Sequence, residues 1–247
     1  MRRRTRVVLL AAAGAVVAAS ASAGSATASP PDATTYEVTI TNLTSGQPLT
    51  PPVAAVHRGN NAVFRVGHRA SFGVKEIAEN GNNAPLLDAL AADHRVTQSV
   101  QAGDGPLVPA HTPGAAMFDG SVTFTVGGAS GTDRLSVVSM LICTNDGFSG
   151  VNGVRLPRHV GENLTVQAAG YDAGTEVNTE DFANIVPPCQ GLIGVSSGEP
   201  GTTMSDPALL EAGRIAHHRG ILGGADLLPA VHGWTDPVVE ISITAIA

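Results

Sequence analysis

The stretch DRLSVVSMLICTNDGFSG, residues 133–150, decides how this chain is read. LSVVSMLIC is long and apolar enough to be a central strand of a sheet. It ends in TNDG, where Asp and Gly are the residues of a turn. A second Gly-containing turn, YDAGTEVNTE, follows at residues 171–180. Together these turns gather Asp146, Asp172, Glu176, Glu180 and Asp181 in a chain of which only 14% of residues are charged. That concentration of acid has two readings, ordinary turn chemistry or a metal site.

Working outward, TYEVTITNLT alternates polar and β-branched residues, the pattern of a half-buried strand. SVTFTVGG sets Val122, Phe124 and Val126 on one side. RVTQSVQA and ENLTVQAAGYD alternate as well, and PVVEISITAI places Val239, Ile241, Ile243 and Ala245 on one face. PVAAVHR and NAVFRVG are expected to be short strands between Pro and Gly. NNAPLLDALAADHRV differs: Leu86, Leu87, Leu90 and Ala91 share a helical face, with Asn83 placed to cap it. Residues 182–235 lose periodicity and are dense in Gly and Pro, with one possible helical turn in DPALLEAG. They are expected to pack as a long excursion on the fold. About eight strands, one main helix over 83–92 and turn-rich connections imply an all-β protein, an antiparallel sandwich.

The N-terminus has the anatomy of a secretory signal peptide. MRRRTR is basic, VVLLAAAGAVVAA is apolar, and A-x-A cleavage sites end at Ala23 and Ala28. The apolar run falls short of the ~20 residues of a spanning helix, and no later segment is apolar enough. The expected organisation is a signal peptide over 1–28, a flexible leader over 29–35 and one domain over 36–247. Removing the first 28 of 247 residues leaves 219 and takes away Arg2, Arg3, Arg4 and Arg6, moving the net charge from −7 to −11. Such a balance argues against nucleic acid and anionic membrane surfaces, which need basic patches, and suits cations. The expected location is secreted or extracellular. In an exported chain the two cysteines, Cys143 and Cys189, are expected to form a disulfide.

Each chemical reading has a plain competitor. Ca²⁺ takes about six to eight oxygens from carboxylates, carbonyls and water. If the strands LSVVSMLIC and LTVQAAG end at one rim, Asp146, Asp172 and Glu176 converge there; otherwise Asp and Gly only make turns. GVSSG at 194–198 matches G-x-S-x-G, and Ser196, Asp226 and His232 follow hydrolase order. The motif needs a strand before the Ser and a helix after it, whereas EPGTT follows here. His217 and His218 are adjacent, so their side chains diverge, which is poor geometry for one metal. NLT at Asn42 and Asn163 is a glycosylation acceptor only in a eukaryotic secretory pathway. Trp234 reads as a packing anchor before the last strand.

LSVVSMLICTNDGFSGVNGVRLP followed by YDAGTEVNTE resembles the spondin N-terminal domain family. The likeness continues through TNLTSGQPLTPPVAAVHR, ASFGVKEIAENGN and HHRGILGGADLLPAVHGWTDPVVEISI. It implies a β-sandwich similar to C2 domains, with a calcium ion at one rim. Carried across, Asp146, Asp172 and Glu176 take the places of the three family acids. Two features depart from the animal pattern. Thr144-Asn145-Asp146-Gly147 stands for Ser-Pro-Asp-Trp, and the third acid, often Asp, is the longer Glu176. The animal members are extracellular-matrix adhesion proteins, so the resemblance implies a binding module without catalysis. Its partner would be an extracellular or cell-surface ligand, protein or glycan.

Overall fold

A computed structural model describes residues 34–59, 63–129 and 131–247. The expected signal peptide, and the leader up to residue 33, lie outside the described residues. Two antiparallel sheets carry the fold. The first has the order β4 (Ser121–Gly127), β1 (Thr35–Asn42), β10 (Val239–Ala245), β7 (Asn163–Ala168). The second runs β3 (Val96–Gln101), β2 (Val53–His57), β5 (Arg134–Met140), β6 (Gly147–Arg155), β8 (Gly170–Asp172), β9 (Ala216–His217). This is the all-β sandwich that the alternating segments imply.

The first sheet follows its sequence pattern closely. In β1, Tyr36, Val38 and Ile40 are buried, and in β10 so are Val239, Ile241, Ile243 and Ala245. Val38 pairs with Ile243 and with Phe124, so three strands present one apolar face. That face meets Ala54, Val56, Leu135 and Val137 of the second sheet in one core. The opposite face of β2 and β5 carries Val53, Ala55, Val138 and Met140, which pack in a second core with Val74, Ile77, Leu86 and Leu90. These last four belong to the helices α1 (Phe72–Asn80) and α2 (Ala84–Ala92). Covered on both sides, β2 and β5 have no wet face to mark with polar residues.

Several expectations are corrected. A helix over 72–80 was not anticipated, although its signals are present. The Ser71 hydroxyl accepts the Val74 N–H at the N-cap, Val74, Ile77 and Ala78 recur at helical spacing, and Gly81 closes the end at φ +65°. Asn83 does not cap α2. Its Nδ2 donates to Pro51 O and Gln101 Oε1 at 2.9 Å each, tying the helix start to the sheet edge, while Asn82 Oδ1 accepts the Ala84 N–H. In NAVFRVG, the described residues 63–67 are not a strand, and Phe64 instead packs edge-on to Phe148 at 5.1 Å.

The residues after Asp146 form β6 rather than an open turn. Its glycines and serines hid it, yet they are what the position requires. A Cβ on Gly150 would lie 1.9 Å from Val137 O, so only glycine lets β6 approach β5 there. DPALLEAG forms no helix; the excursion instead contains α3 (Pro188–Ile193), β9 and α4 (Pro229–His232).

The excursion is pinned as the cysteines suggest. Cys143, in the turn after β5, is bonded to Cys189 in α3, and both are fully buried. Because the bridge closes a long loop in the unfolded chain, removing it with Cys143→Ala/Cys189→Ala is expected to cost roughly 2–4 kcal/mol. Urea unfolding of the variant against the oxidised protein measures this. Free thiols in the exported protein, detected by mass spectrometry without reductant, would refute the bridge.

Candidate functional site

β5 runs out at Met140 and the chain turns through residues 141–146. Thr144 fastens this turn: its hydroxyl donates to Leu141 O at 2.6 Å and accepts the Gly147 N–H at 2.9 Å. β6 then pairs with β8 so that Gly147 faces Asp172. This register brings Asp146 beside Asp172, as the shared-rim reading requires.

Asp146 is fully buried, and its two oxygens have different fates. Oδ2 accepts the N–H groups of Thr175 at 2.7 Å and Glu176 at 3.1 Å, and the Thr175 hydroxyl at 3.3 Å. Oδ1 is buried with no hydrogen-bond partner. Asp172 Oδ1 accepts the Gly174 N–H at 2.8 Å, and its Oδ2 accepts Asn178 Nδ2 at 2.7 Å. Gly174 sits at φ +67°, and a Cβ there would lie 2.6 Å from Arg214 N, so the turn between Asp172 and Glu176 needs glycine.

Glu176 is placed differently from the expected third ligand. Its backbone N–H serves Asp146, but its Oε1 accepts the Asp206 N–H at 3.0 Å, and its side chain lines a cavity with Lys75 and Glu79. Among the described residues, no three His, Cys, Asp or Glu side chains come together in a group able to hold a metal ion. The structure therefore joins Asp146 and Asp172 and orients the Glu176 carboxylate toward another cluster. Glu180 and Asp181 are occupied by turn chemistry. Glu180 holds φ +58°, and its carboxylate accepts the N–H groups of Leu222 and Gly224 at 2.6 Å each. Asp181 Oδ1 accepts the Ala183 N–H.

Neighbours to which the sequence reading gave no role at the rim, Asn145 and His218, complete it. Asn145 Oδ1 accepts the N–H groups of Thr179 and Glu180, lashing the second turn to the first. His218 Nδ1 accepts the Gly220 N–H, so the proton of the neutral ring is on Nε2, which is buried without a partner. His217 and His218 do diverge: one ring lies 5.2 Å from Tyr171 and the other 5.0 Å from Trp234. A small cavity of about 100 Å³, lined by Asn178, Glu180, His218 and Arg219 among others, opens beside this rim. An asparagine or a histidine carries no periodic signal, so only the fold could assemble these groups.

The hydrolase alternative is not assembled. Exposed Ser196 donates to Gln190 Oε1, Asp226 Oδ2 accepts the Phe182 N–H, and buried His232 Nδ1 accepts the Leu228 N–H.

Burial raises the Asp146 carboxyl to about 7, the adjacent charge of Asp172 adds to this, and the N–H groups of Thr175 and Glu176 oppose it. Burial likewise raises Glu176 to about 7, helped by Glu79 and Asp146 and opposed by the Asp206 N–H and Lys75. Burial lowers His218, with Asp172, Glu180 and Asp236 pulling the other way. For a carboxyl raised on folding, the unfolded chain ionises first as pH climbs, so stability is lost between the ordinary carboxylate range and about 7. Histidines lowered on folding act oppositely, favouring the unfolded state as pH falls. The difference between Asp146→Asn and the parent isolates the first effect. In metal-free buffer the variant should gain on the order of 2–4 kcal/mol relative to the parent between pH 4 and pH 8, since one pKa unit is about 1.4 kcal/mol. Denaturant unfolding at several pH values measures the difference; a flat profile would show that Asp146 ionises freely.

Comparison with known families finds Spondin_N over residues 47–184, a span that includes α1, α2, the central strand β5 and both acidic turns. No curated protein matches the chain. The match covers more than half of the 247 residues and includes Asp146, Asp172 and Glu176. This chain belongs to the Spondin_N family, whose members are extracellular-type domains.

Proposed function

We propose that the protein is an exported, non-catalytic binding module whose Asp146 and Asp172 hold one Ca²⁺ at the rim of the sandwich. The observation that carries the calcium reading is Asp146 Oδ1, a buried carboxylate oxygen with no donor, set beside a second carboxylate. Leaving such a group unpaired costs free energy that a cation would offset. Ca²⁺ accepts carbonyl and water oxygens for much of its shell, so two carboxylates suffice where Mg²⁺ would demand a tighter octahedron. When bound, the ion supplies two positive charges that neutralise the pair. The chain's own groups do the rest: the Thr175 and Glu176 N–H groups fix Asp146, and Asn178 and Gly174 fix Asp172. In this reading Glu176 acts through its backbone, not as a ligand.

Export is supported by the basic and apolar pattern of the first 28 residues and by family membership. No helix among the described residues is long and apolar enough to cross a membrane. A non-catalytic role is supported by the separate commitments of Ser196, Asp226 and His232. The ligand of the module is proposed to be an extracellular or cell-surface protein or glycan, in keeping with the family's adhesion members.

Calcium is expected to raise the melting temperature, because a ligand of the folded state alone stabilises it by about 2.7 kcal/mol at ~100 times Kd. Asp172→Asn and Asp146→Asn should each abolish most of this shift. Glu176→Gln should leave calcium affinity within about threefold, since Glu176 gives no side-chain oxygen to the ion. Calorimetry of the exported chain showing no calcium-dependent shift up to ~10 mM, above the Kd of weak extracellular modules, would reduce the acidic turns to turns.

A further inference from the structure

A cavity of about 220 Å³ is lined by Lys75, Glu79, Thr175, Glu176, Ser205 and Leu210, with Asp206 and Pro207 completing it. Glu79 stands in the last turn of α1 with its side chain only 1% exposed. Its Oε2 is taken: Lys75 Nζ donates to it at 2.5 Å, and the Ser205 hydroxyl donates to it as well. Its Oε1 is buried with no partner. Glu176, also buried, adds a second carboxylate whose Oε1 holds the Asp206 N–H. Lys75 bonds Glu79 directly and acts on Glu176 only through its charge, with no hydrogen bond between them. Besides Glu79, its Nζ donates to Ser205 Oγ at 2.7 Å and lies 3.9 Å from Glu76 Oε1. The cavity thus sets two buried carboxyl groups against one ammonium, together with an acceptor that lacks a donor.

The walls narrow the ligand class. Pro207 and Leu210 are apolar, and Leu210 is 67% exposed, so an apolar stem entering there would cover a leucine that water now touches. A bare divalent cation fits poorly. The ammonium of Lys75 already sits against Glu79, and among the described residues no third side chain joins the two acids in a metal-holding group. An ammonium on an alkyl chain meets both demands, with N–H donors and positive charge at its tip and methylenes along its length.

We propose that this cavity recognises a primary ammonium group on an alkyl stem, with Glu79 Oε1 and Glu176 accepting its N–H groups and Pro207 and Leu210 flanking the stem. A lysine side chain of a protein partner and a free alkylamine share this chemistry. The site is separate from the Asp146–Asp172 pair and does not need calcium, so its success or failure is read apart from that of the calcium proposal.

Titration of the exported chain in EDTA, followed by calorimetry and by NMR of the amide groups of residues 75–80 and 205–210, tests the proposal. The probes are n-pentylammonium, an acetylated and amidated Gly-Lys-Gly peptide, and tetramethylammonium, which has charge but no N–H. Saturable binding of pentylammonium or the peptide, with Kd of about 1 mM or below, is expected. Tetramethylammonium should bind at least about tenfold more weakly, because the charge-assisted hydrogen bonds are missing. Tighter binding of the peptide assigns the site to protein partners, and tighter binding of pentylammonium assigns it to free amines. Glu79→Gln should weaken binding at least about tenfold. Leu210→Ala, at an exposed position where folding is not at risk, should weaken it about threefold through loss of apolar cover. No saturation by either amine up to ~50 mM, or equal affinity for tetramethylammonium, overturns the proposal. So does unchanged affinity in both variants.

Discussion

The structure depends on β5 being buried on both faces. Leu135 and Val137 point into the core between the sheets, while Val138 and Met140 point into the core beneath α1 and α2. A strand in that position must be covered twice, so the fold needs a facing sheet on one side and a helical layer on the other. Every other element takes its place from this demand. β1 and β10 form the middle of the facing sheet, α1 and α2 lie on the outer face, and β6 closes in on β5 at Gly150.

The same constraint creates the rim. A strand buried on both faces has to end in a turn whose polar groups are satisfied from within, because little water reaches them. Thr144, Asn145 and Asp146 meet that need by bonding Leu141 O, the N–H groups of Thr179 and Glu180, and those of Thr175 and Glu176. Asp146 meets it with one oxygen only, and the other oxygen is buried without a partner. Turn chemistry at Oδ2 and the cation proposed at Oδ1 would therefore be compatible uses of a single carboxylate.

Thr175 and Glu176 join two clusters of buried acid. Through their backbone they serve Asp146; through the Glu176 carboxylate they face Glu79 and Lys75. The loop that closes the second cluster, residues 205–210, is held by the N–H of Asp206 on Glu176 and by the bridge between Glu176 and Leu210. The disulfide holds α3 against the turn after β5. A segment without helical or strand periodicity is thereby fixed by a few point attachments.

What the sequence determined by itself is what repeats along it. Alternation in β1, β4 and β10 reports one wet face and one dry face, and the apolar run of β5 reports two dry ones. The paired cysteines and the acids at the two turns were legible because their chemistry is restricted to few roles. β6 was not legible, since its glycines are demanded by the closeness of Val137, a distance set by another strand. The helix over 72–80 lay between the two cases, with cap and spacing present in a window short enough to pass as loop. The grouping of the acids was decided only by tertiary structure. Asp146, Asp172 and Glu176 are equivalent along the chain, but the β6–β8 register sets Asp172 beside Asp146, and the Asp206 N–H draws Glu176 to Glu79. A side chain's partners depend on which distant backbone groups its own backbone is paired against, and that pairing is a property of the folded sheet.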